Sequence, residues 1–397
     1  MLKDTLSGIL QTQAFPPSAP REVVRAVAAD LVPVPGMATV LTGVRRCGKS
    51  TLQAQLARKH GYVFYCNFED TRLFEMTAAD FSLWLELLDE LVPVSTPVFL
   101  DEVQEIEGWQ RLARTLLDRG RTLCVTGSNA SLLGVGLGAK LTGRHLPRVV
   151  YPFCYSEYLA YTQQERSAES LESFLNDGGF PMFLASRRDE VLRELARNIV
   201  QRDVVARHGL RESRGVMNLL LFLLANTGQA FSLQTLAKNL AIASVTRASQ
   251  YVAFLQDAYL LFAVPKFSAS FKQRVVAPPK YYAIDNGLRR ANSPQTTPDK
   301  GRRLENAVAL ELLRRGMAPC YAAEKAAWEC DFVTQDTAWQ VCWQLTEENK
   351  AREIRGLLAA KTQARAKRLL ILTLDQKQTL SQDGETIEVL PAWKWLG

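Results

Sequence analysis

Histidine is nearly absent from this chain of 397 residues: only His60, His145 and His208 occur, far apart. Cysteine is sparse. The seven thiols, at 47, 66, 124, 154, 320, 330 and 342, form no CxxC pair, and their number is odd. A zinc centre or a disulfide framework is therefore not expected. Long apolar runs are missing too. The longest, Leu219 to Ala225, is far below the ~20 residues that span a bilayer. The opening segment MLKDTLSGILQTQAFPPSAP lacks the basic start and apolar core of a secretory signal. These absences predict a cytoplasmic protein with reduced thiols and no membrane partner. Neither sign of charge dominates. Lys plus Arg is 48 against 41 Asp plus Glu, a net of +7. That mild excess is compatible with a nucleic-acid partner without demanding one. No internal repeat and no low-complexity tract is visible.

What is present is an ordinary globular balance, 47% hydrophobic and 22% charged. At about 150 residues per domain the length implies two to three domains. PPSAP (16–20) reads as the end of an N-terminal arm. Arg21 to Leu31 reads as a short helix broken by VPVPG. From Met37 to Tyr151, short apolar runs at 38–41, 62–67, 98–100, 122–126 and 147–151 alternate with helical stretches near 50–59, 78–91 and 109–119. That alternation predicts a parallel α/β sheet. Residues 187–225 read as helical, 231–285 as two helices and a strand pair, and 286–302 as a polar linker. A helix near 304–315 and strands near 329–334, 338–345 and 369–374 follow.

The segment Gly43-Val-Arg-Arg-Cys-Gly48-Lys49-Ser50 fits GxxxxGK[ST], after an apolar strand and before a helix. Glycines there let backbone N–H groups turn toward phosphate oxygens, and the helix offers its positive end to them. Lys49 is expected to reach the β/γ-phosphates, and the Ser50 hydroxyl to ligate Mg²⁺. Gly43, Arg46, Cys47, Gly48 and Thr51 complete the expected ATP cradle. Arg45 and Arg46 make this loop unusually basic. Val98-Phe-Leu-Asp101-Glu102 is an apolar strand ending in two carboxylates. Asp101 fits a Mg²⁺ ligand and Glu102 the base that polarises water. The next strand ends in Thr126, Ser128 and Asn129, any of which can sense the γ-phosphate or cap the following helix. Asn129 is carried as the sensor. Arg144 in LTGRHLPRVV is a candidate arginine finger or else a surface arginine, and Arg202 is a second candidate.

Together these motifs resemble the predicted ATPases of the AAA+ superfamily, of bacteria and archaea, that carry an uncharacterised C-terminal domain. The matching residues are GVRRCGKST (43–51), FLDEVQEIEGWQ (99–110), VTGSNASLL (125–133), LTGR (141–144), YPFCYSEYL (151–159), GGFP (178–181), QRDVVARHG (201–209), LEN (304–306) and ECDFV (329–333). The resemblance implies an α/β fold class: a P-loop NTPase core of ASCE type, a winged helix, and a C-terminal domain like the PD-(D/E)XK restriction endonucleases. The expected domains are an arm and helix (1–36), the ATPase core (37–165), a helical lid (166–225), the winged helix (226–285), a linker (286–303) and the nuclease-like domain (304–397). GGFP also looks like the GxP motif of STAND signalling ATPases, and Pro181 is assigned to the adenine on that basis alone.

In the winged-helix candidate, Val245 to Ala258 is the second helix of a helix-turn-helix. Its start carries Thr246, Arg247, Ser249 and Gln250, where such helices meet base edges. Arg247 and Gln250 are the base-contact candidates, and Lys266, Lys272, Arg274 and Lys280 on the wing are placed near phosphates. In the tail, the resemblance assigns acids to Glu305 and Asp331. Gln340 stands at the third position, and Cys342 where a lysine belongs. A thiol cannot stabilise developing negative charge as a cation does, so the expectation is a nuclease fold without cleavage. Residues 350–368 hold seven basic residues and one acid. Lys361, Arg365, Lys367 and Arg368 in that stretch are further DNA candidates. The combined expectation is an oligomeric, Mg²⁺-dependent ATPase acting on DNA. The alternative is a STAND-like switch acting through protein partners.

Overall fold

The computed structural model describes residues 1–15, 21–29, 31, 34, 36–130, 141, 143–293 and 299–397. The chain divides into two compact units, Met1–Tyr151 and Pro152–Gly397. PPSAP, the end of VTGSNASLL and Thr142 of LTGR lie outside the described residues.

The first unit is built on five strands: β1 (Ala38–Thr42), β2 (Phe64–Asn67), β3 (Val98–Asp101), β4 (Leu123–Gly127) and β5 (His145–Val149). Their order is β2-β3-β4-β1-β5, and every pair is parallel. The expected α/β sheet is present. Every residue of β1, β3 and β4 is buried, as parallel strands covered on both faces require. Pro147 sits in β5, an edge strand, where its missing N–H leaves no gap in the ladder. Around the sheet lie α1 (Lys3–Thr12), α2 (Lys49–His60), α3 (Phe81–Leu91) and α4 (Trp109–Asp118).

Two expectations about the N-terminal region are corrected. The first residues are not an arm: α1 buries Leu6, Ile9 and Leu10 in the same core as Trp84 and Leu88 of α3. Among the described residues of 21–31, expected to be a helix, only the 3-10 turn Ala26–Ala28 is helical. Arg25 is extended, because its backbone N–H donates to Gln55 Oε1 and its guanidinium to the carbonyls of Cys47 and Tyr151.

The second unit begins with four helices, α5 (Tyr155–Thr162), α6 (Ala168–Asp177), α7 (Pro181–Ser186) and α8 (Asp189–Ile199). A π-helical stretch, Val200–Ala206, continues α8, and α9 (Arg214–Ala225) follows. Then come α10 (Leu233–Asn239), α11 (Val245–Asp257), β6 (Leu261–Val264), α12 (Phe271–Val276) and β7 (Lys280–Ala283). β6 and β7 are antiparallel, and Ala230 bridges Lys280 on the far side.

Within 286–303, expected to be a linker, Asn286–Asn292 is a helix, α13. Asp285 caps it by accepting the Leu288 N–H at 2.7 Å, and Leu288 and Arg289 are buried. Across Asn286–Asn292 the polar look comes from a cap and a buried arginine.

The tail runs α14 (Lys300–Arg314), β8 (Cys320–Glu324), β9 (Trp328–Val333), β10 (Thr337–Val341), α15 (Glu347–Ala364), β11 (Arg368–Thr373), β12 (Gln378–Gln382), β13 (Glu385–Pro391) and α16 (Ala392–Trp395). Its six strands are ordered β12-β13-β11-β10-β9-β8. β8, β9 and β10 form an antiparallel meander, and α15 carries the chain over to β11, parallel to β10. Gly356 lets α15 lie against β9, since a Cβ there would overlap the Glu329 carbonyl oxygen. Among the described residues, no helix is long and apolar enough to cross a membrane.

Candidate nucleotide site

The carboxyl ends of β1, β3 and β4 share one edge of the sheet, because Thr42 pairs with Gly127 and Leu100 with Val125. The loop after β1 occupies that edge. Gly43 has φ +145° and Gly48 has φ +101°. A Cβ on Gly43 would overlap the Val150 carbonyl oxygen, so glycine is required by contact as well as by conformation. Gly48 is the N-cap of α2. The Lys49 ammonium is buried and donates to the carbonyls of Gly43 at 3.0 Å and Val44 at 3.2 Å. Cys47 is buried, and its thiol donates to the Val150 carbonyl at 3.1 Å. Burial raises its pKa above the usual thiol value, so it behaves as a structural thiol rather than a nucleophile. Ser50 is half-buried, whereas Arg46 and Thr51 are exposed. Arg45 pairs with Glu69 at 3.2 Å.

Asp101 closes β3 and is buried. Tyr65 donates its hydroxyl to Asp101 Oδ2 at 3.0 Å, and Thr126 donates to Oδ1. Glu102 follows in the left-handed region, at φ 50° and ψ 48°. Non-glycine residues are held there at a cost, commonly at working sites. Its N–H donates to Thr126 Oγ1 at 3.0 Å, and Gln104 donates to its carboxylate. Burial raises the Glu102 pKa, and Lys49 works against that rise. Asn129 is buried just past β4. Thr126, Tyr65, Gln104 and Arg25 contact the acids or the loop directly, and sequence reading assigned none of them that part. Thr126 alone had a signal, its place at a strand's end.

The donor types suit a phosphate-bound Mg²⁺: a hydroxyl at Ser50 and a buried carboxylate at Asp101, with a buried ammonium on the loop at Lys49. Mg²⁺ takes most of its ligands from water and phosphate in such sites.

Arg144 lies elsewhere. Its carbonyl accepts the N–H of Ala38, at the opposite end of β1 from the loop. Four strand steps of roughly 3.3 Å separate the two edges by about 13 Å. Its guanidinium binds Asp118 at 2.6 Å.

The remaining assigned residues are in the second unit. Pro181 opens α7. The glycines before it are fixed by packing: a Cβ on Gly178 would overlap Asp285, and one on Gly179 the Phe153 backbone. Arg247 and Gln250 are exposed on the first turns of α11, and Lys272 and Arg274 are exposed on α12. Lys280 corrects its expected place on an open wing. It is buried and paired with Glu329 at 2.6 Å, Glu305 at 3.3 Å and Asp331 at 3.5 Å.

The basic stretch 350–368 is also less free than its charge suggests. Lys350 pairs with Glu347, Arg352 with Glu353, Lys361 with Glu385 and Arg368 with Glu388. Arg355, Arg365 and Lys367 are exposed and have no carboxylate partner among the described residues. Cys342 is buried at the end of β10.

With this geometry in place, the comparisons are informative. The family described as "AAA domain" matches residues 36–159, and a domain of unknown function, DUF8612, matches residues 168–299. An uncharacterized protein of Methanocaldococcus jannaschii is 31% identical over 405 residues, covering 91% of this chain and 88% of that one. The chain belongs to that protein's family. An uncharacterized protein of Haemophilus influenzae is 30% identical over 386 residues, covering 90% of this chain and 93% of that one. This AAA-domain family is one of P-loop, nucleotide-binding proteins of ATPase type. A Walker-type ATPase of Pyrococcus abyssi is 15% identical with a TM-score of 0.44, covering 64% of this chain and 90% of that one. At that score the likeness is too slight to bear on the fold, which rests on the strand order. In the AAA domain β4 lies between the loop strand and the acid strand.

Proposed function

We propose that the chain hydrolyses ATP with Mg²⁺ and couples turnover to DNA, as a motor or remodeller rather than a cutter. The observation that carries the ATPase reading is the shared sheet edge: Lys49 and Ser50 on one strand's loop, Asp101 and Glu102 on the strand two places away. Lys49 leaves the loop carbonyls to hold phosphate oxygens. Ser50 and Asp101 hold Mg²⁺, which neutralises charge on the β- and γ-phosphates. Glu102, with its pKa raised by burial, takes the proton of the attacking water. Thr126 fixes both acids. Arg144, on the far edge, acts as a finger only on a neighbouring copy, so the reading includes a homo-oligomer.

Support for DNA comes from the second unit. The order α9, the Ala230 bridge, α10, α11, β6 and β7 supports the winged-helix reading, with Arg247 and Gln250 exposed on the helix assigned to base contacts. The tail order of one helix, three strands, a crossover helix and a parallel strand supports the nuclease-like fold. The test is ATPase rate with duplex, single-stranded and branched DNA. Stimulation by one of them is expected. No stimulation together with no low-salt binding overturns the DNA coupling.

A second reading, a nucleotide-dependent switch, is favoured by one feature. That feature is the GGFP segment at 178–181, whose likeness to the GxP motif puts Pro181 near the adenine. Copurified ADP and assembly that depends on a protein partner distinguish it.

A further inference from the structure

The nuclease resemblance implies a divalent metal between Glu305 and Asp331. The residues present do not fit one. Three carboxylate oxygens, Glu305 Oε1, Glu329 Oε1 and Asp331 Oδ1, converge on a single atom, the Nζ of Lys280, at 3.3, 2.6 and 3.5 Å. Mg²⁺ needs oxygens at about 2.0–2.1 Å in near-octahedral array. An ion placed among these oxygens falls on the ammonium itself. Other oxygens are also engaged. Tyr282 donates to Glu305 Oε1 at 2.6 Å, and the Val341 N–H donates to Asp331 Oδ2 at 2.9 Å. Among the described residues, no group of three or more His, Cys, Asp and Glu side chains is arranged to hold a metal.

Lys280 is 3% exposed. A lysine is almost never buried to that degree unless paired. Burial alone would lower its pKa, but Glu305, Asp331 and Glu329 more than reverse that and keep it charged. The Tyr321 ring closes over it, 5.5 Å from Nζ. Beyond the carboxylates opens a cleft of about 930 Å³, lined by Arg302, Trp328, Trp343 and Arg352 among others. Gln340 and Glu353 extend the polar network, with the Gln340 amide donating to Glu353 at 2.6 Å.

We propose that the Lys280 ammonium is the resident cation of this carboxylate cluster, and that it shuts divalent metal out. The lysine missing at position 342 is thus present in space, but it comes from β7, in the hairpin, and it fills the ion's place instead of working beside it. The tail's acids thus bind β7 in place of an ion. The inference holds whatever the fate of the ATPase reading, since it rests on the second unit alone.

The experiment measures Mn²⁺ binding by electron paramagnetic resonance on metal-stripped, nucleotide-free full-length protein. Wild type and Asp331→Asn are expected to bind Mn²⁺ alike. Lys280→Met keeps the apolar stem and removes the charge. It is expected to gain one Mn²⁺ per chain with affinity at least about tenfold above any wild-type binding, and adding Asp331→Asn removes that gain. Mn²⁺ bound by wild type and lost in Asp331→Asn overturns the proposal. So does a folded Lys280→Met chain with no gain. Should Lys280→Met fail to fold, Lys280→Gln replaces it, and the comparison of wild type with Asp331→Asn decides in either case.

Discussion

Lys49 and Glu102 occupy the same sheet edge in opposite chemical states. One is a buried cation resting on carbonyl oxygens; the other is a buried acid whose pKa is raised by its surroundings. Lys49→Ala removes the charge that replaces those carbonyls with phosphate, so nucleotide binding should fall below detection in an equilibrium titration. Glu102→Gln keeps shape and should keep affinity, while single-turnover hydrolysis drops by about 10²- to 10⁴-fold. Normal hydrolysis by that variant would reassign the base. Both residues were legible in the sequence, since spacing and strand context name them. Thr126 was only one of three candidates there, because a hydroxyl at a strand's end has no unique pattern. Gln104 and Arg25 were illegible: a hydrogen bond to Glu102 and a guanidinium laid on the loop depend on backbone turns that no spacing encodes.

Among the elements, α13 shows most clearly how polar sequence misleads. Asp285 is fully enclosed and accepts N–H groups from Gly179 and Leu288. Burial pushes its carboxyl from 3.8 up to about 6, against the pull of those donors. A carboxyl with a raised folded value adds its full stability below pH 3.8 and loses it as pH rises through 6. Wild type should therefore lose up to about 3 kcal/mol relative to Asp285→Asn between pH 4 and pH 7, read by urea unfolding at each pH. A constant difference across that range would place the ionisation elsewhere. The strands of the first unit were legible because burial on both faces leaves continuous apolar runs. The hairpin lysine was not. Lys280 reads as a surface charge until β7 and the tail acids are seen together, and Glu353 reads as a stray acid in a basic helix until Gln340 meets it.

For the whole molecule, the open questions are who completes the nucleotide site and what the basic surface holds. If Arg144 serves a neighbour, Arg144→Ala and Lys49→Ala are each inactive alone. Mixed, they should recover part of the wild-type ATPase rate, because some interfaces then pair an intact loop with an intact arginine. No recovery on mixing would remove Arg144 from the site. On the tail, the charge available for phosphates is smaller than composition suggests, since four of the seven bases have carboxylate partners. Replacing Arg355, Arg365 and Lys367 with Ala should flatten the slope of log affinity for duplex against log salt by about 2 to 3. Replacing the paired Lys361 and Arg368 should change it much less. An unchanged slope in the triple variant would leave DNA to the winged-helix face.

The chain leaves its first unit once, immediately after Tyr151. That departure point is stitched to the phosphate loop: Arg25 ties the Cys47 carbonyl to the Tyr151 carbonyl, and the Cys47 thiol is bonded to Val150. The loop and the exit of the chain are therefore one mechanical knot. On the proposed ATPase reading, a phosphate that draws Lys49 off these carbonyls should change amide-exchange protection first at residues 150 and 151.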